Sequence, residues 1–358
     1  ILPDARAAGS IEAAMSGLRL VRQRLALHIA LADLAGIWSV DQVVTALTIF
    51  ADAAVDAALR LALGAAVASE RLADDRLFEE PDRSGLTVLA MGKHGANELN
   101  YSSDIDLIVL FDPAAVPVAA GREPLDVVVR IIKDLVKILH EQTGGGYVFR
   151  TDLRLRPDPA STPIAVPIDR AIGYYQAVGQ NWERAALIKA RPVAGDLALG
   201  QSFLRELTPF IWRRYFDYAS IADIHAMKRQ IHAHKGGEVI AVEGHDVKLG
   251  RGGIREIEFF VQTQQLVFGG RKPVLRGRGT LAMLEQLRLE GWIGANAVQD
   301  LQAAYRFLRM VEHRLQMVDD QQTQRLPTSR AAVDQIALFC GLSPVQFRKL
   351  ITHHFKAV

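Results

Sequence analysis

Apolar residues recur along the first part of the chain with a helical period. Leu18, Leu20, Val21, Leu25 and Ile29 form a stripe behind Ser10-Ile-Glu-Ala-Ala, a plausible capped start. Gly36 and Ser39 punctuate the chain before a second helix, and helix is predicted to about residue 75. The period then changes. Leu86–Ala90 is a short continuous apolar run, which predicts a strand that Gly92 breaks. A second run, Asp104–Phe111, is apolar on both faces beyond Asp106 and predicts a strand buried on both sides. Helical spacing returns between Leu125 and Gln142, where Val128, Ile131, Ile132, Leu135, Ile138 and Leu139 share a face. Gly144-Gly145-Gly146 ends that helix. From about Asp169 the pattern predicts helix to the end, with Leu301, Tyr305, Leu308 and Val311 on a buried face. An α+β chain in three regions is expected: helical over 1–80, mixed over 81–195, helical over 196–358.

Composition narrows the function classes. A chain of 358 residues can hold two or three domains with cores of their own. Hydrophobic content of 49% and charged content of 23% are expected of a soluble globular protein. A net charge of +2 does not point to nucleic acid as a partner. Cys340 is the single cysteine, so no intramolecular disulfide forms, and a reducing cytoplasm fits. It stands in the apolar run from Ile336, which predicts a buried, inert thiol. The alanine-rich stretch Ala51–Ala68 contains Asp52, Asp56 and Arg60. No charge-free run reaches the roughly 18 residues of a membrane span, and no signal peptide is evident. Ile1 rather than Met opens the sequence, as expected of a fragment or a processed chain.

The chemistry gathers at Met91–Asp112. Gly92, Lys93, Gly95 and Ala96 are suited to a backbone turn pressed close to a ligand. Asn100, Ser102 and Ser103 form a polar pivot. Side chains alternate along a strand, so Asp104 and Asp106 point to one face. A bare Asp-x-Asp is most often a solvated strand end. Here the Gly-Lys turn lies upstream and a third acid, Asp152, lies downstream in Tyr147–Arg156, where alternation predicts one face for Asp152, Arg154 and Arg156. Acids at the mouth of a buried strand are costly without a cation, and hard oxygen ligands select Mg2+ or Mn2+. Three carboxylates with arginines suit metal-bound phosphates.

A second candidate is Asp246–Gly253, an extended segment and glycine-rich turn opening a helix over Ile254–Gly269. Free amides at the helix start would attract phosphate, with Lys248, Arg251 and Arg255 adding charge. Most such turns are only caps or hinges. Glu256 and Glu258 either bind those basic groups or face a metal. Tyr174, Tyr175 and Trp182 are expected in the core. His225, His232, His234 and His245 cluster in sequence, but His232 and His234 on a helix point apart, which argues against zinc. His313, His353 and His354 are expected at the surface or in packing. Asp319–Pro327 breaks the last helical pattern, as a substrate contact or as a linker.

Gly-Lys, Asp-x-Asp and a later strand acid resemble the nucleotidyltransferase fold shared with DNA polymerase beta. The fuller strings MGKHGANELNYSSDIDL, DLRLRP, WERAALIKARPVAGD and DVKLGRGGIREIEFFVQ, in this order, resemble the glutamine synthetase adenylyltransferase family. The likeness runs from about Leu86 to about Pro327. It implies a polymerase-beta-like nucleotidyltransferase core, a small mixed sheet with helices, flanked by all-helical regions. That family carries two such units in one long chain. One transfers AMP from ATP to a tyrosine of glutamine synthetase; the other removes it by phosphorolysis, releasing ADP. Asn100-Tyr-Ser-Ser103 and Ile254-Arg-Glu-Ile-Glu258 resemble the deadenylylating unit.

The resemblance further implies Asp104 and Asp106 as metal ligands, with Asp152 a second-metal ligand or a base. Gly92, Lys93 and Ser103 would line the phosphates, and Arg154 and Arg156 would bind phosphate or neutralise the acids. Lys248, Gly250, Arg251, Gly252, Gly253 and Arg255 would bind phosphate or nucleotide. Glu183, Lys189 and Arg191 would lie on the active-site side. Adenylylated glutamine synthetase is the implied protein substrate, with phosphate and ADP or ATP as small partners and the PII signalling protein as regulator; neither nucleic acid nor membrane is implied. Rival readings are forward adenylylation, a non-catalytic nucleotide-sensing module, and a uridylyltransferase of PII, against which Lys-Leu-Gly-x-Gly-Gly-Ile-Arg-Glu argues. Two departures stand out. His94 replaces a usually apolar residue and Ala96 a frequent glycine, and Asp158–Pro163 lacks the glycines expected after DLRLRP.

Overall fold

The computed structural model describes residues 11–214 and 241–358. His225, His232 and His234 lie outside the described residues. The chain divides into two compact units, Ile1–Ile29, Thr45–Leu99 and Ser103–Ile211 in the first, and Ala30–Val44, Asn100–Ser102 and Trp212–Val358 in the second. This division cuts across the three regions expected from sequence, because most of the N-terminal helical stretch groups with the sheet.

In the first unit, β1 (Leu86–Ala90) and β2 (Ile105–Phe111) pair antiparallel, Leu86 opposite Phe111 and Ala90 opposite Leu107. Every residue of β1 is buried, as is β2 apart from Asp106, so the run of apolar side chains on both faces fixes these strands inside the molecule. Two short strands lie parallel to β2: β3 (Thr151–Asp152) at its start and β4 (Ala165–Pro167) at its end. β5 (Arg191–Gly195) pairs antiparallel with the other side of β1. The strand order is β3-β2-β1-β5. The architecture is α+β, a small mixed open sheet with helices, consistent with the nucleotidyltransferase core expected from the sequence.

Two of these strands correct the expectation. The chain is not helical from Asp169 onward: β5 interrupts it. Its Pro192 lies where the register with β1 shifts between Val88 and Leu89, an irregularity on an edge strand that tolerates a residue with no N–H. β3 has only two residues, and the chain turns after Asp152, so strand alternation does not govern Arg154 and Arg156.

Helices brace the sheet. α1 (Ile11–Leu34) and α2 (Val40–Ala68) match the helical stripes of the N-terminal region. After the one-turn helix α3 (Gly92–Gly95) comes α4 (Pro124–His140), which buries the predicted apolar face, Val128 through Leu139. Arg19 of α1 is 1% exposed. Its guanidinium donates to Ile138 O (3.2 Å), Glu141 O (2.6 Å) and Gly146 O (2.8 Å). It thus bonds the carbonyls of Ile138 and Glu141 at the end of α4, complements the negative end of that helix, and ties it to Gly146. That anchor fixes the Thr143–Gly146 turn that leads into β3. Following β4 are α5 (Ile168–Ala177), α6 (Asn181–Leu187), α7 (Leu197–Glu206) and α8 (Thr208–Ile211).

The second unit is built on α9 (Ile254–Phe268), α10 (Thr280–Leu289), α11 (Ala295–Asp319), α12 (Arg330–Phe339) and α13 (Pro344–Ala357). Ile257 and Val261 of α9 pack with Leu284, with Tyr305, Leu308 and Val311 of α11, and with Val333, Phe347 and Ile351 in one core. One face of α11 is instead polar and buried, with Arg309, Glu312, His313 and Arg314 all below 5% exposed. Cys340 is half-buried, and burial pushes its thiol up to about 12, in keeping with an inert role. Among the described residues no helix is long and apolar enough to cross a membrane.

Candidate active site

β2 and β3 bring two of the expected acids together. Asp106 is the register partner of Asp152, and Asp104 precedes it by two residues on the same strand approach. The N–H of Met91 donates to Asp106 O at 2.9 Å, which lays the end of β1 alongside. Gly92 follows with φ +54°, and a Cβ there would stand 2.6 Å from Asp106 Oδ2. Only glycine allows both that backbone conformation and that approach. Ala96 has an ordinary right-handed conformation, so the missing second glycine costs nothing. Gly95 is the constrained neighbour: a Cβ would lie 2.0 Å from Lys189 O.

Arginines compensate the acids. Arg150 Nε donates to Asp104 Oδ1 at 2.6 Å, and Arg150 Nη1 to the Tyr147 hydroxyl at 2.8 Å. Arg22 of α1 lies over the Tyr147 ring, 4.3 Å from its centroid. Arg154 folds back on Asp152, with its backbone N–H at 2.8 Å from Oδ1 and Nη2 at 2.5 Å from Oδ2. Hydrogen bonds from Arg154 hold the Asp152 carboxyl below the usual carboxylate range. Arg154 is raised in turn, chiefly by Asp152 and further by the charges of Asp106 and Asp104. One exposed guanidinium therefore feels all three acids. No motif in the sequence singles out Arg150, although it shares the parity of Asp152.

Two carboxylates at the start of β2 and one on β3, with a glycine backbone against one of them, are oxygen donors of the kind that a hard divalent cation would take. Among the described residues no three acidic, histidine or cysteine side chains already converge as a preformed metal group. Here Arg150 and Arg154 balance the charge of the acids.

Other expected residues take structural roles. Arg156 donates to Leu153 O, Pro159 O and Thr162 O, at 2.9, 2.9 and 3.0 Å, and so fastens the loop after Asp152. In that loop Asp158 adopts φ +41°, where glycine is usual, and its carbonyl accepts from Ser161 and Thr162. Glu183 caps α6, accepting from the Gln180 N–H at 2.8 Å, and burial raises its carboxyl. Tyr175 is core, but Trp182 is 40% exposed, against expectation. Lys189 pairs with Glu98 at 3.3 Å, both nearly buried.

Of the pivot residues, Asn100 and Ser102 belong to the second unit and Ser103 to the first. Asn100 Oδ1 accepts from Arg309 Nε at 3.1 Å and from a second guanidinium nitrogen, with His313 Nε2 at 3.2 Å. Ser102 N donates to Gln316 Oε1 and its hydroxyl to Asp320 O, each at 2.9 Å. His313 is fully buried, as a packing role requires.

At the glycine-rich turn the expected free amides are absent. Gly253 N donates to Gly250 O, Ile254 N to Val247 O and Arg255 N to Lys248 O, at 2.9 to 3.0 Å. The Gly252 N–H meets Glu256 Oε1 at 3.2 Å. Gly252, at φ +73°, presses on Phe355 O, which a Cβ would approach to 2.0 Å. Tight backbone packing explains these glycines, and any phosphate role falls to the side chains of Lys248, Arg251 and Arg255. Arg255 lies 3.5 Å from Glu258, the structural alternative for that acid.

Residues 3–206 match the family model described as glutamate-ammonia ligase adenylyltransferase. Residues 224–358 match that of the GlnD PII-uridylyltransferase. Among curated proteins, a bifunctional glutamine synthetase adenylyltransferase/adenylyl-removing enzyme of Xanthobacter autotrophicus is 54% identical over 94% of this chain and 34% of its own length. Namesakes from Rhizobium meliloti and Mesorhizobium japonicum are 53% and 56% identical over 95% and 91% of this chain, and 34% and 33% of their own lengths. The chain thus spans about a third of the curated relatives it matches.

Proposed function

The chain belongs to the glutamate-ammonia ligase adenylyltransferase family, and on that premise we propose that it carries the adenylyl-removing reaction, phosphorolysis of AMP from an adenylylated tyrosine of glutamine synthetase. An oxygen of inorganic phosphate attacks the AMP phosphorus. The bond from phosphorus to the tyrosine oxygen breaks, that oxygen ends protonated, and ADP leaves. The observation that carries the nucleotidyl-transfer chemistry is the register of Asp106 with Asp152, beside a glycine turn that only a missing Cβ permits.

Asp104, Asp106 and Asp152 would hold Mg2+ or Mn2+, which when bound neutralises phosphate charge and polarises the P–O bonds. Arg150 aims Asp104. Arg154, exposed beside Asp152, exchanges its carboxylate partner for a phosphate oxygen. Gly92 admits the nucleotide close to Asp106, and Lys93 and Ser103 contact its phosphates. Lys248, Arg251 and Arg255 are proposed phosphate-binding side chains of the second unit. A phosphorolytic site must hold a free phosphate dianion, which favours several guanidinium and ammonium groups.

The direction rests on Asn100-Tyr-Ser-Ser103 and on Glu256 in Ile254–Glu258, since the relatives' names cover both directions. The likeness of residues 224–358 to a PII-uridylyltransferase family supports the PII protein as the regulating partner. Incubation with adenylylated glutamine synthetase and Mg2+ tests the reading. ADP should form only with phosphate present, and labelled ATP should leave unmodified glutamine synthetase unlabelled. Efficient labelling without phosphate-dependent ADP would assign the forward reaction instead.

A further inference from the structure

A partly buried polar cluster adjoins the α3 turn. His94, one of the two departures from the family strings, is 1% exposed. Its Nε2 lies 2.7 Å from Asp52 Oδ1, on α2. Arg191, the first residue of β5, donates to the same oxygen at 2.8 Å and to the His94 carbonyl at 3.2 Å. Burial opposes the charge on Asp52, but the hydrogen bonds from His94 and Arg191 prevail and hold its carboxyl below the usual range. An ionised carboxylate only accepts, so Nε2 carries the imidazole proton. Burial lowers the histidine and keeps it neutral, with Nδ1 enclosed and without a partner. A histidine in so dry a place is costly, and the proposed chemistry makes no use of its proton.

What the cluster does use is position. α3 is a single turn of Gly92-Lys93-His94-Gly95, too short to hold its own place. Asp106 stands within 2.6 Å of where a Gly92 Cβ would be. At its end Gly95 packs on the backbones of Lys189 and Ala90. The His94 ring and, through Arg191, the His94 carbonyl are tied to one carboxylate of α2. Lys93 is bonded directly to His94, so a rotation of the turn that freed His94 would also move Lys93.

We infer that His94, with Asp52 and Arg191, is the positioning anchor of the Gly92–Lys93 turn, and sets the affinity of this site for a metal-bound nucleoside diphosphate. The inference rests on the reading of that turn as a phosphate-contacting element. It assigns the cluster to nucleotide affinity, not merely to the stability of the fold. His94 is a positioning residue that acts through Lys93.

The test is calorimetric binding of ADP with Mg2+ to the full chain, beside thermal melting. His94→Phe keeps the volume and the Asp52–Arg191 pair but removes the tie, and should weaken binding at least tenfold. Asp52→Asn is the milder second variant, and Arg191→Lys should recover part of what Arg191→Met loses. In a Lys93→Met background the same His94→Phe change should weaken binding less than threefold. Ile132→Val, on the buried face of α4, lowers the melting temperature without touching the turn and should leave affinity unchanged. Affinity within twofold of wild type in His94→Phe and Asp52→Asn, with only the melting temperature lowered, overturns the inference. So does an equal loss with and without Lys93. A wild-type chain that binds no ADP removes the functional reading and this inference together, whereas a failing His94 arm alone leaves the functional reading standing.

Discussion

Asp106 and Asp152 face each other across the parallel pair β2 and β3, the register placing Cα against Cα. Asp152 leans on Arg154, and the charge of Asp106 in turn raises Arg154. The acids are assembled by backbone pairing and kept compatible by a guanidinium that can move.

Replacing that guanidinium should therefore ease metal entry. In Arg154→Gln the three acids lose their shared counter-charge. Mn2+ titrated without nucleotide should bind several-fold more tightly than to wild type, while the phosphate requirement of the reaction rises. Unchanged Mn2+ affinity would detach Arg154 from the site.

Gly92→Ala places a methyl 2.6 Å from Asp106 Oδ2 at a φ of +54°. The left-handed conformation should cost about 1 to 2 kcal/mol of stability. Displacing the acid should cost more in rate, on the order of a hundredfold in kcat/KM. Stability from denaturant titration and steady-state kinetics read the two separately, and a fully active Gly92→Ala chain would deny the close approach its meaning.

Arg309→Met removes the guanidinium that bonds Asn100 and pairs with Glu312 in a buried polar face of the second unit. Taking one partner from a buried ion pair costs about 3 to 5 kcal/mol. Hydrogen exchange along α11 should quicken strongly, and unaltered protection would show the network to be dispensable.

Acid should destabilise the fold before its carboxylates titrate. His94 and His313 are lowered by burial from the ordinary 6.5. Below pH 6.5 the unfolded chain binds protons that the folded chain refuses, so this stability is complete above 6.5 and is lost as pH falls. The slope approaches about 1.4 kcal/mol per pH unit per histidine. Asp33, Asp52 and Asp152 have lowered values and contribute only nearer the acid range. Between pH 7.5 and 5.5 the urea midpoint should drop less in His94→Phe than in wild type. Identical drops would mean that His94 is protonated in the folded chain.

What the sequence made legible follows from local physics. β1, β2 and α4 were readable because their apolar residues keep a strand or helix period over enough positions to stand out. β5 was not, because Arg191-Pro-Val-Ala-Gly carries a proline and too few apolar residues, and its place depends on the free edge of β1. The motif spacing groups Asp104, Asp106 and Asp152, and the register juxtaposes the last two. The alternation that grouped Asp152 with Arg154 and Arg156 failed because a turn follows Asp152, and Arg156 serves the loop. Arg150, which pairs with Asp104 from 46 positions away, and Asp52, 42 positions from His94, are partners that only tertiary structure reveals.

The most direct test of the central claim follows one phosphorus atom. Adenylylated glutamine synthetase is incubated with the chain, Mg2+ and radiolabelled inorganic phosphate. The label should appear as the β-phosphate of ADP, and should fall to background in Asp106→Asn and Asp152→Asn chains that melt at or above the wild-type temperature. Label that stays in phosphate while AMP is released, or an Asp106→Asn chain that still makes labelled ADP at the wild-type rate, would contradict the account.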